Sequence, residues 1–511
     1  MSLRSSIPLQ ITAVLVFIGV LFLGLALLLP PGLVILIAGV GAMALVYFSG
    51  VAYLLSNPRW LPPRFEKLPI LLGVLFPLLV TGTLLYAYRG LLTPSSVTFA
   101  LGLLFVFLYY WLVVPLALFQ TFQRQSTIPE PEEWPSIAVV IPAYNEAGYI
   151  GECIDSIRSA RYPGPRSLIV IDDGSTDGTY EEARRHAPPE ATVLRTENQG
   201  KHAALNLALE HTDAEYIVSV DADSHVHPDA LVEMIRRFFR YDDTGAVAGN
   251  VKVANRGSLI TDLQALEYIV GINTFRRAFD LFGAVTVVPG SLGAFRRDVL
   301  DEVGGYSPDT VTEDFDLTIE ILRSGYNIRA STGIVYTEAP DTWRDLYVQR
   351  RRWFQGNLQT LSKHRNVFVN NSYGLLHRVA LPYVFLSMSI LPLLGLLILG
   401  LIVASLFTGA TELFVTLAVF FVLLQVLLAI LAIQIEGDDL RLAVLAPLML
   451  FGYKQFLDIT LIRSVYGLFR NPDRTWLRPA RIRQRDASTA DGETPAGTAG
   501  GQSSDGTQQE E

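Results

Sequence analysis

Long apolar runs at both ends of the chain enclose one long stretch that is not apolar. That arrangement limits the fold more than any other feature of the sequence. Ile7–Leu29, Leu33–Leu55, Leu68–Tyr88 and Val97–Phe119 each read as long enough to cross a hydrocarbon core of roughly 30 Å. The first is longer than the roughly 7–15 apolar residues of a signal peptide, and no small-residue cleavage pattern stands before Pro30-Pro31. It therefore reads as a retained helix. Four such runs nearly back to back, in a chain of 511 residues that is 50% hydrophobic and only 17% charged, argue against a soluble protein with buried helices. Apolar character returns at Leu381–Phe407 and Leu413–Ile435. Leu440–Phe469 is interrupted by Pro447, Lys454, Asp458 and Arg463, and is expected to lie in the interface or re-enter rather than cross.

Basic residues orient these segments. Arg59, Arg64 and Lys67 fall between the second and third runs, which places that loop, the N-terminus and the polar stretch in the cytoplasm. Thr408–Glu412 carries no basic residue and reads as an outer loop. Arg470, Arg474, Arg478, Arg481, Arg483 and Arg485 ask for the cytoplasm again, which is met if Leu440–Phe469 does not cross. The polar tail from Ala487 onward is expected to be disordered. The expected organisation is four transmembrane helices over 1–125, a soluble domain over 136–365, transmembrane and interfacial helices over 366–469, and a basic segment and tail over 470–511. A net charge of −9 argues against a nucleic-acid partner. Cys153 is the only cysteine, so intramolecular disulfides and cysteine-based zinc sites are excluded, and it reads as a reduced thiol packed on a helix.

Within the polar stretch, Ile137–Ile141, Leu168–Ile171, Ala191–Leu194 and Tyr216–Val220 are short, branched and bounded by turn residues, as strands are. Helical patterns lie between them near Gly148–Ala160, Asp177–His186, His202–His211 and Pro228–Arg240. The alternation predicts a mostly parallel α/β sheet, whose ligands bind beyond the carboxyl ends of the strands. The polar motifs fall at those ends. Tyr144-Asn145-Glu146 follows the first strand and Asp172-Asp173 the second, which puts a polar loop and an acceptor-only acidic pair at one crevice, suited to a uracil N3–H or a ribose hydroxyl. No Gly-x-Gly-x-x-Gly follows the first strand, so a dinucleotide fingerprint is absent. The competing reading is that Asp172, Asp173 and Asp177 close turns and cap a helix. Lys201 opens the third helix and can meet an anionic ligand, or simply be a solvated helix start.

Asp221-Ala222-Asp223 follows the fourth strand directly, and two carboxylates in that spacing can hold Mg²⁺ or Mn²⁺ against a diphosphate. Val288–Arg296 is a Gly-rich turn into a strand, either an ordinary hairpin or a close approach of backbone to an acceptor. Thr312-Glu313-Asp314-Phe315-Asp316 starts a helix. Its acids suit the dipole and Thr312 suits a cap, but one carboxylate, Asp314, is also the candidate general base for an attacking hydroxyl. Gln349, Arg352 and Trp353 fit a helix at the membrane face, with Arg352 toward the diphosphate and Trp353 as a stacking face for a pyranose. Headgroup anchoring is the plainer role for the same residues.

Together these motifs resemble the family 2 glycosyltransferases of the GT-A fold, and more narrowly the processive membrane synthases of cellulose, chitin, hyaluronan and poly-N-acetylglucosamine. The resemblance is close over Ser136–Arg365 and looser over the flanking runs. Its most specific part is Asp221-x-Asp223, Thr312-Glu313-Asp314 and Gln349-x-x-Arg352-Trp353, in that order. It implies a Rossmann-like GT-A domain inserted between transmembrane bundles, on the cytoplasmic side of the plasma membrane. By the same resemblance Asp172, Asp173 and Lys201 lie beside the uridine, while Asp221 and Asp223 hold the diphosphate and the metal. Asp314 is the base, and Gln349, Arg352 and Trp353 meet the acceptor end. The wording Asp309-Thr310-Val311, Phe315-Asp316 and Ala339-Pro340-Asp341-Thr342 looks most like the poly-N-acetylglucosamine branch, and Thr475-Trp476-Leu477 is similar to the gating loop of these synthases. Four N-terminal spans exceed the two common in that branch, so a small partner subunit is left unassigned. The implied activity is inverting, processive transfer from a UDP-sugar, UDP-GlcNAc ahead of UDP-glucose, to a growing β-linked polysaccharide that is extruded. The alternatives are a non-processive membrane transferase acting on a lipid or glycan, and a transporter or receptor with a nucleotide-binding domain.

Overall fold

A computed structural model describes residues 130–408 and 411–470, together with Tyr86, Val113, Leu116, Ala117, Gln120 and Thr121. The runs expected over 7–55, nearly all of those over 68–88 and 97–119, and the basic segment with Thr475-Trp476-Leu477 lie outside the described residues.

Eight strands form one sheet: β1 Ile137–Ala143, β2 Arg166–Asp172, β3 Thr192–Arg195, β4 Tyr216–Ser219, β5 Ser224–Val226, β6 Thr244–Val253, β7 Gly293–Arg296 and β8 Asn327–Thr337. Their spatial order is β3-β2-β1-β4-β7-β6-β8-β5. The expected strands are present as β1 to β4, all mutually parallel. The sheet as a whole is mixed rather than mostly parallel. β7 runs antiparallel between β4 and β6, and β5 folds back antiparallel onto β8.

The helices are α1 Ile150–Ser159, α2 Thr179–His186, α3 Lys201–Leu209, α4 Ala230–Arg236, α5 Leu259–Glu267, α6 Thr274–Asp280, α7 Arg297–Val303, α8 Glu313–Arg323, α9 Trp343–Lys363, α10 Leu381–Thr408, α11 Thr411–Glu436 and α12 Lys454–Arg470. Every residue of β1 is buried, and its side chains alternate between two cores. Ile137, Val139 and Ile141 pack with Ile150, Ile154 and Ile157 of α1 and Leu231 and Ile235 of α4. Ala138 and Val140 pack with Ala204 and Leu205 of α3 and Phe315 and Ile319 of α8. Each fully buried isoleucine contributes about 1.5–3 kcal/mol, so these two layers hold the strand ends that carry the motifs.

The apolar C-terminal helices are continuous with this body. Ala429, Ile430 and Ile433 of α11 belong to the first core. The end of α11 is then locked by charge: Glu436 pairs with Arg277 and accepts from Asn250 Nδ2 at 2.7 Å, while Asp438 accepts from Arg256 at 2.6 Å and pairs with Lys252 at 3.2 Å. On the N-terminal side, Val113, Leu116 and Ala117 pack on Ala278, and Gln120 donates to Asp280 at 2.6 Å. Among the described residues, Leu376–Leu401 and Leu440–Leu468 are long and apolar enough to cross a membrane. The second is not one straight helix. Phe451 and Gly452 leave helical geometry, Gly452 at φ +112. Gln455 spans the break, its Oε1 accepting from Gly452 N at 2.6 Å and its Nε2 donating to Leu450 O at 2.9 Å.

Candidate active site

β1 has β2 on one side and β4 on the other, and the chain visits them in that order, so the carboxyl ends of these strands open a crevice at a topological switch point. The loops leaving β1, β2 and β4 carry Tyr144–Glu146, Asp172-Asp173 and Asp221–Asp223 into it. The first two loops are knitted together. Ser175 Oγ accepts from Asn145 N at 2.8 Å, Asn145 Oδ1 accepts from Thr176 N at 2.8 Å, and Thr179 Oγ1 accepts from Glu146 N at 2.7 Å. The Asp172 side chain is wholly buried, 3.2 Å from Arg195 and accepting from Ser175 N at 3.2 Å. Asp173 accepts from Gln199 N at 2.9 Å and Gly200 N at 2.8 Å, and burial raises its carboxyl above the usual range. Both acids therefore fasten turns, and Asp173 sets the loop that delivers Lys201.

Lys201 is the hub of the crevice. Its ammonium lies 2.7 Å from Asp221 Oδ1 and 3.1 Å from Glu313 Oε1, with 28% of the side chain exposed. The two carboxylates outweigh burial and push the ammonium well above the ordinary lysine range. Glycine at 290 makes room for this pair. Because β7 is antiparallel to β4, with Gly293 opposite Ser219, the turn before β7 lies against the loop after β4. A Cβ at Gly290 would overlap Lys201 Nζ and come within 3.3 Å of Asp221 Oδ1. The turn within Val288–Arg296 thus lies close to the Lys201–Asp221 pair, a different approach from the one toward an acceptor that the sequence suggests.

Asp223 is buried, with Ser224 Oγ donating to it at 3.3 Å. Both Asp221 and Asp223 reach the buried Cys153 thiol electrostatically, and together with its own burial they push it well above the usual thiol range. Cys153 is thus an inert core thiol. The hard oxygens of Asp221 and Asp223 fit Mg²⁺ or Mn²⁺, and no third Asp, Glu, His or Cys completes a metal-holding group among the described residues. The remaining positions suit diphosphate oxygens and water, as in sites where the substrate supplies ligands.

Asp314 sits in the first turn of α8, half-buried, with Oδ1 accepting from Phe315 N at 2.8 Å. Burial and then the Glu313 charge push its carboxyl up to about 6, while Lys201 pulls in the opposite direction. Thr312 is not a side-chain cap. It is pressed instead against α9, where a Cβ at Gly356 would come within 2.5 Å of its side chain. Asp316, two residues on, belongs to a different environment. It accepts from Lys363 Nζ at 2.7 Å and lies 2.8 Å from His364 Nε2, with 1% of its side chain exposed. Arg323 donates to His364 Nδ1 at 3.1 Å, which leaves Nε2 to carry the proton toward Asp316.

Thr342 caps α9 by accepting from Asp345 N at 3.1 Å. In the Gln349–Trp353 run it is Arg350, not Arg352, that is buried. Arg350 pairs with Glu267 at 2.6 Å, and Tyr453 donates to the same Glu267 oxygen at 2.5 Å. The Arg350 guanidinium lies 4.1 Å from the Trp353 ring centroid, and Gln349 Oε1 accepts from Arg350. One face of Trp353 is therefore taken by Arg350, and its body packs on the first core, which leaves less of it open to a pyranose than the motif suggests. Arg350, Glu267 and Gly356 were given no role by sequence reasoning, and Glu313 entered it only within the Thr312-Glu313-Asp314 motif. Arg350 is buried against Glu267, a carboxylate brought from far along the chain that local residue order does not reveal.

Residues 138–304 match the profile described as glycosyl transferase family 2. The poly-beta-1,6-N-acetyl-D-glucosamine synthase of Staphylococcus epidermidis is 30% identical over 261 residues, 49% of this chain and 63% of that protein. A synthase of the same name from Staphylococcus aureus (strain MW2) is 29% identical over 260 residues, with the same shares covered. The chain thus spans under two thirds of these relatives' own length. Among solved structures, a mannosyltransferase from Pyrobaculum calidifontis in complex with GDP-Man and Mn²⁺ is 20% identical, with a TM-score of 0.47 over 71% of this chain and 96% of that one.

Proposed function

We propose that this chain, which carries a glycosyl transferase family 2 domain, transfers a sugar from a UDP-sugar to a growing β-linked polysaccharide at a membrane, with inversion. UDP-GlcNAc is favoured because the relatives it matches are named poly-beta-1,6-N-acetyl-D-glucosamine synthases. The observation that carries the reading is Asp314: a half-buried carboxyl held near pH 6, beside Glu313 and across Lys201 from Asp221. At neutral pH it is ionised yet only one pH unit from accepting a proton, which suits a general base.

The reaction is a single displacement. Asp314 takes the proton of the acceptor hydroxyl as that oxygen forms its bond to the anomeric carbon. The bond from that carbon to UDP breaks on the opposite face, UDP leaves with the electron pair, and the configuration inverts. Lys201, already poised at Asp221, places positive charge beside the departing diphosphate. Asp221 and Asp223 would hold a divalent cation, which supplies Lewis-acid stabilisation of that diphosphate when bound. The Tyr144–Glu146 loop and the Asp173-set loop line the nucleoside end. Gln349, Arg352 and Trp353 lie on α9, which also meets Tyr453 through Glu267, and are read as the acceptor side.

Reconstitution in liposomes with a panel of radiolabelled UDP-sugars tests the proposal. UDP release and a β-linked polymer from UDP-GlcNAc are expected, lost on adding EDTA and restored by Mg²⁺ or Mn²⁺. Sugar-nucleotide binding without UDP release would favour the transporter or receptor reading. The Arg350–Trp353 stack gives Trp353 a structural role and so keeps a non-processive transferase in play; a single-sugar product on a gel would establish it in place of the polymerase.

A further inference from the structure

Arg276 and Arg277 are adjacent on α6 but are treated differently by the fold. The helix that carries them passes from α5 through a π-helical turn, Tyr268–Asn273, in which Thr274 Oγ1 donates to Ile269 O at 2.7 Å. Such wide turns re-aim side chains and recur at functional positions. Here Arg277 turns to the buried Glu436 and is neutralised. Arg276 donates to Gly249 O at 3.2 Å, and no Asp or Glu among the described residues forms an ion pair with it.

Gly249 fixes where that guanidinium lies. Its N–H donates to Leu292 O at 3.0 Å, so Arg276 is anchored beside the turn whose Gly290 cradles Lys201 and Asp221. Asp314 and Tyr268 are near enough to act on it electrostatically, and Tyr268 in turn feels Asp223 and Arg350. Burial nonetheless pushes Arg276 down to about 10, so its surroundings under-compensate its charge. Glu436 also acts on it but is taken by Arg277, and Asp314 faces the crevice, so no carboxylate among the described residues is paired with Arg276. An under-compensated arginine at a cleft is a candidate binding group.

We propose that Arg276 is a further binding group of this site, its planar guanidinium taking phosphoryl oxygens of the nucleoside diphosphate from the Tyr268 side of the crevice. The fork of a guanidinium matches phosphate geometry where a lysine acts only as a point charge. The assignment rests on the nucleotide-sugar reading above. It adds a second cation to Lys201, so that the leaving diphosphate is met from two sides.

Calorimetric titration of the full-length protein with UDP and with uridine, both in Mg²⁺, tests this. Arg276→Gln is expected to weaken UDP binding about ten- to a hundredfold, the range for losing charge-assisted hydrogen bonds, and to leave uridine binding unchanged. Unchanged UDP affinity in a variant that still binds uridine would overturn the role of Arg276 while the proposed function stands. A wild-type protein that binds neither compound would overturn the nucleotide-sugar reading itself, and the assignment with it. If Arg276→Gln does not fold, Arg276→Lys is read instead: a smaller loss for UDP and none for uridine supports the proposal, and wild-type UDP affinity overturns it.

Discussion

Asp314 and Asp316 stand two residues apart on one helix, and the fold puts them to opposite uses. Asp316 is surrounded: Lys363 and His364 both meet it, Arg323 holds His364, and the side chain sees almost no solvent. Asp314 faces the crevice with a like charge at its side, and Lys201, the cation that pulls its carboxyl down, is already shared between Asp221 and Glu313. A fully compensated acid ties two helices together and has nothing left to do. An under-compensated acid costs stability and keeps its affinity for a proton. Position along the helix decides this, because residues two apart point to different sides of α8.

The widest gap between the two should appear in turnover. Asp314→Asn is expected to lower UDP release about a hundred- to ten-thousandfold, the range for removing a general base, while the thermal midpoint holds or rises as a buried charge beside Glu313 disappears. A variant with near-normal release would remove the distinction. Asp316→Ala should show the reverse pattern, with about 3 kcal/mol of stability lost because Lys363 and His364 lose the buried carboxylate they share. Thermal unfolding in detergent measures it, and an unmoved midpoint would mean the cluster is dispensable. Gly290→Ala, which forces Lys201 away from Asp221, is expected to raise the donor KM about tenfold, as for loss of one charge-assisted contact.

The smallest effect is on the pH profile. Asp314 must be ionised to act, and its carboxyl is held at about 6, so kcat/KM should fall tenfold per unit as pH drops below about 6. Glu313 raises the Asp314 carboxyl, so Glu313→Gln should move that acid limb to lower pH and leave the plateau nearly where it was. A limb that stays in place would mean that another group controls it. The stability consequence has the same sign logic. A raised carboxyl pKa works against folding above the unfolded value of about 3.9, so the Asp314 contribution is least unfavourable in acid.

How much of this could be read from residue order varies with the physics involved. β1 to β4 were legible because their apolar branched runs are buried on both faces and bounded by turn residues. β6 and β8 were not. Gly245, Gly249, Asn250 and Lys252 break the apolar run of β6, and the burial of Asn250 and Lys252 depends on Glu436 and Asp438, far along the chain. Arg329 and Ser331 do the same to β8, held by Asp280 O and Glu233 O. In the crevice, residue types at strand ends pointed to Asp221, Asp223, Lys201 and Asp314. They offered turn closure for Asp172 and Asp173 as one of two readings but could not supply the partners Arg195, Gln199 and Gly200, nor tell that the buried arginine of the Gln349–Trp353 run is Arg350. Both facts depend on partners that only the folded chain supplies.

Gln455 does something for the C-terminal segment that a run of apolar residues cannot. Where the backbone leaves helical geometry at Phe451 and Gly452, a donor and an acceptor lose their usual partners, and away from water each is costly to leave bare. One amide side chain replaces both, so the bend is sealed from within and does not depend on solvent reaching it. The limb beyond it, α12, has 17 residues and extends about 25 Å, short of a hydrocarbon core of roughly 30 Å. The segment is thereby a sealed elbow, able to turn at a depth where an open break would have to drag water along with it.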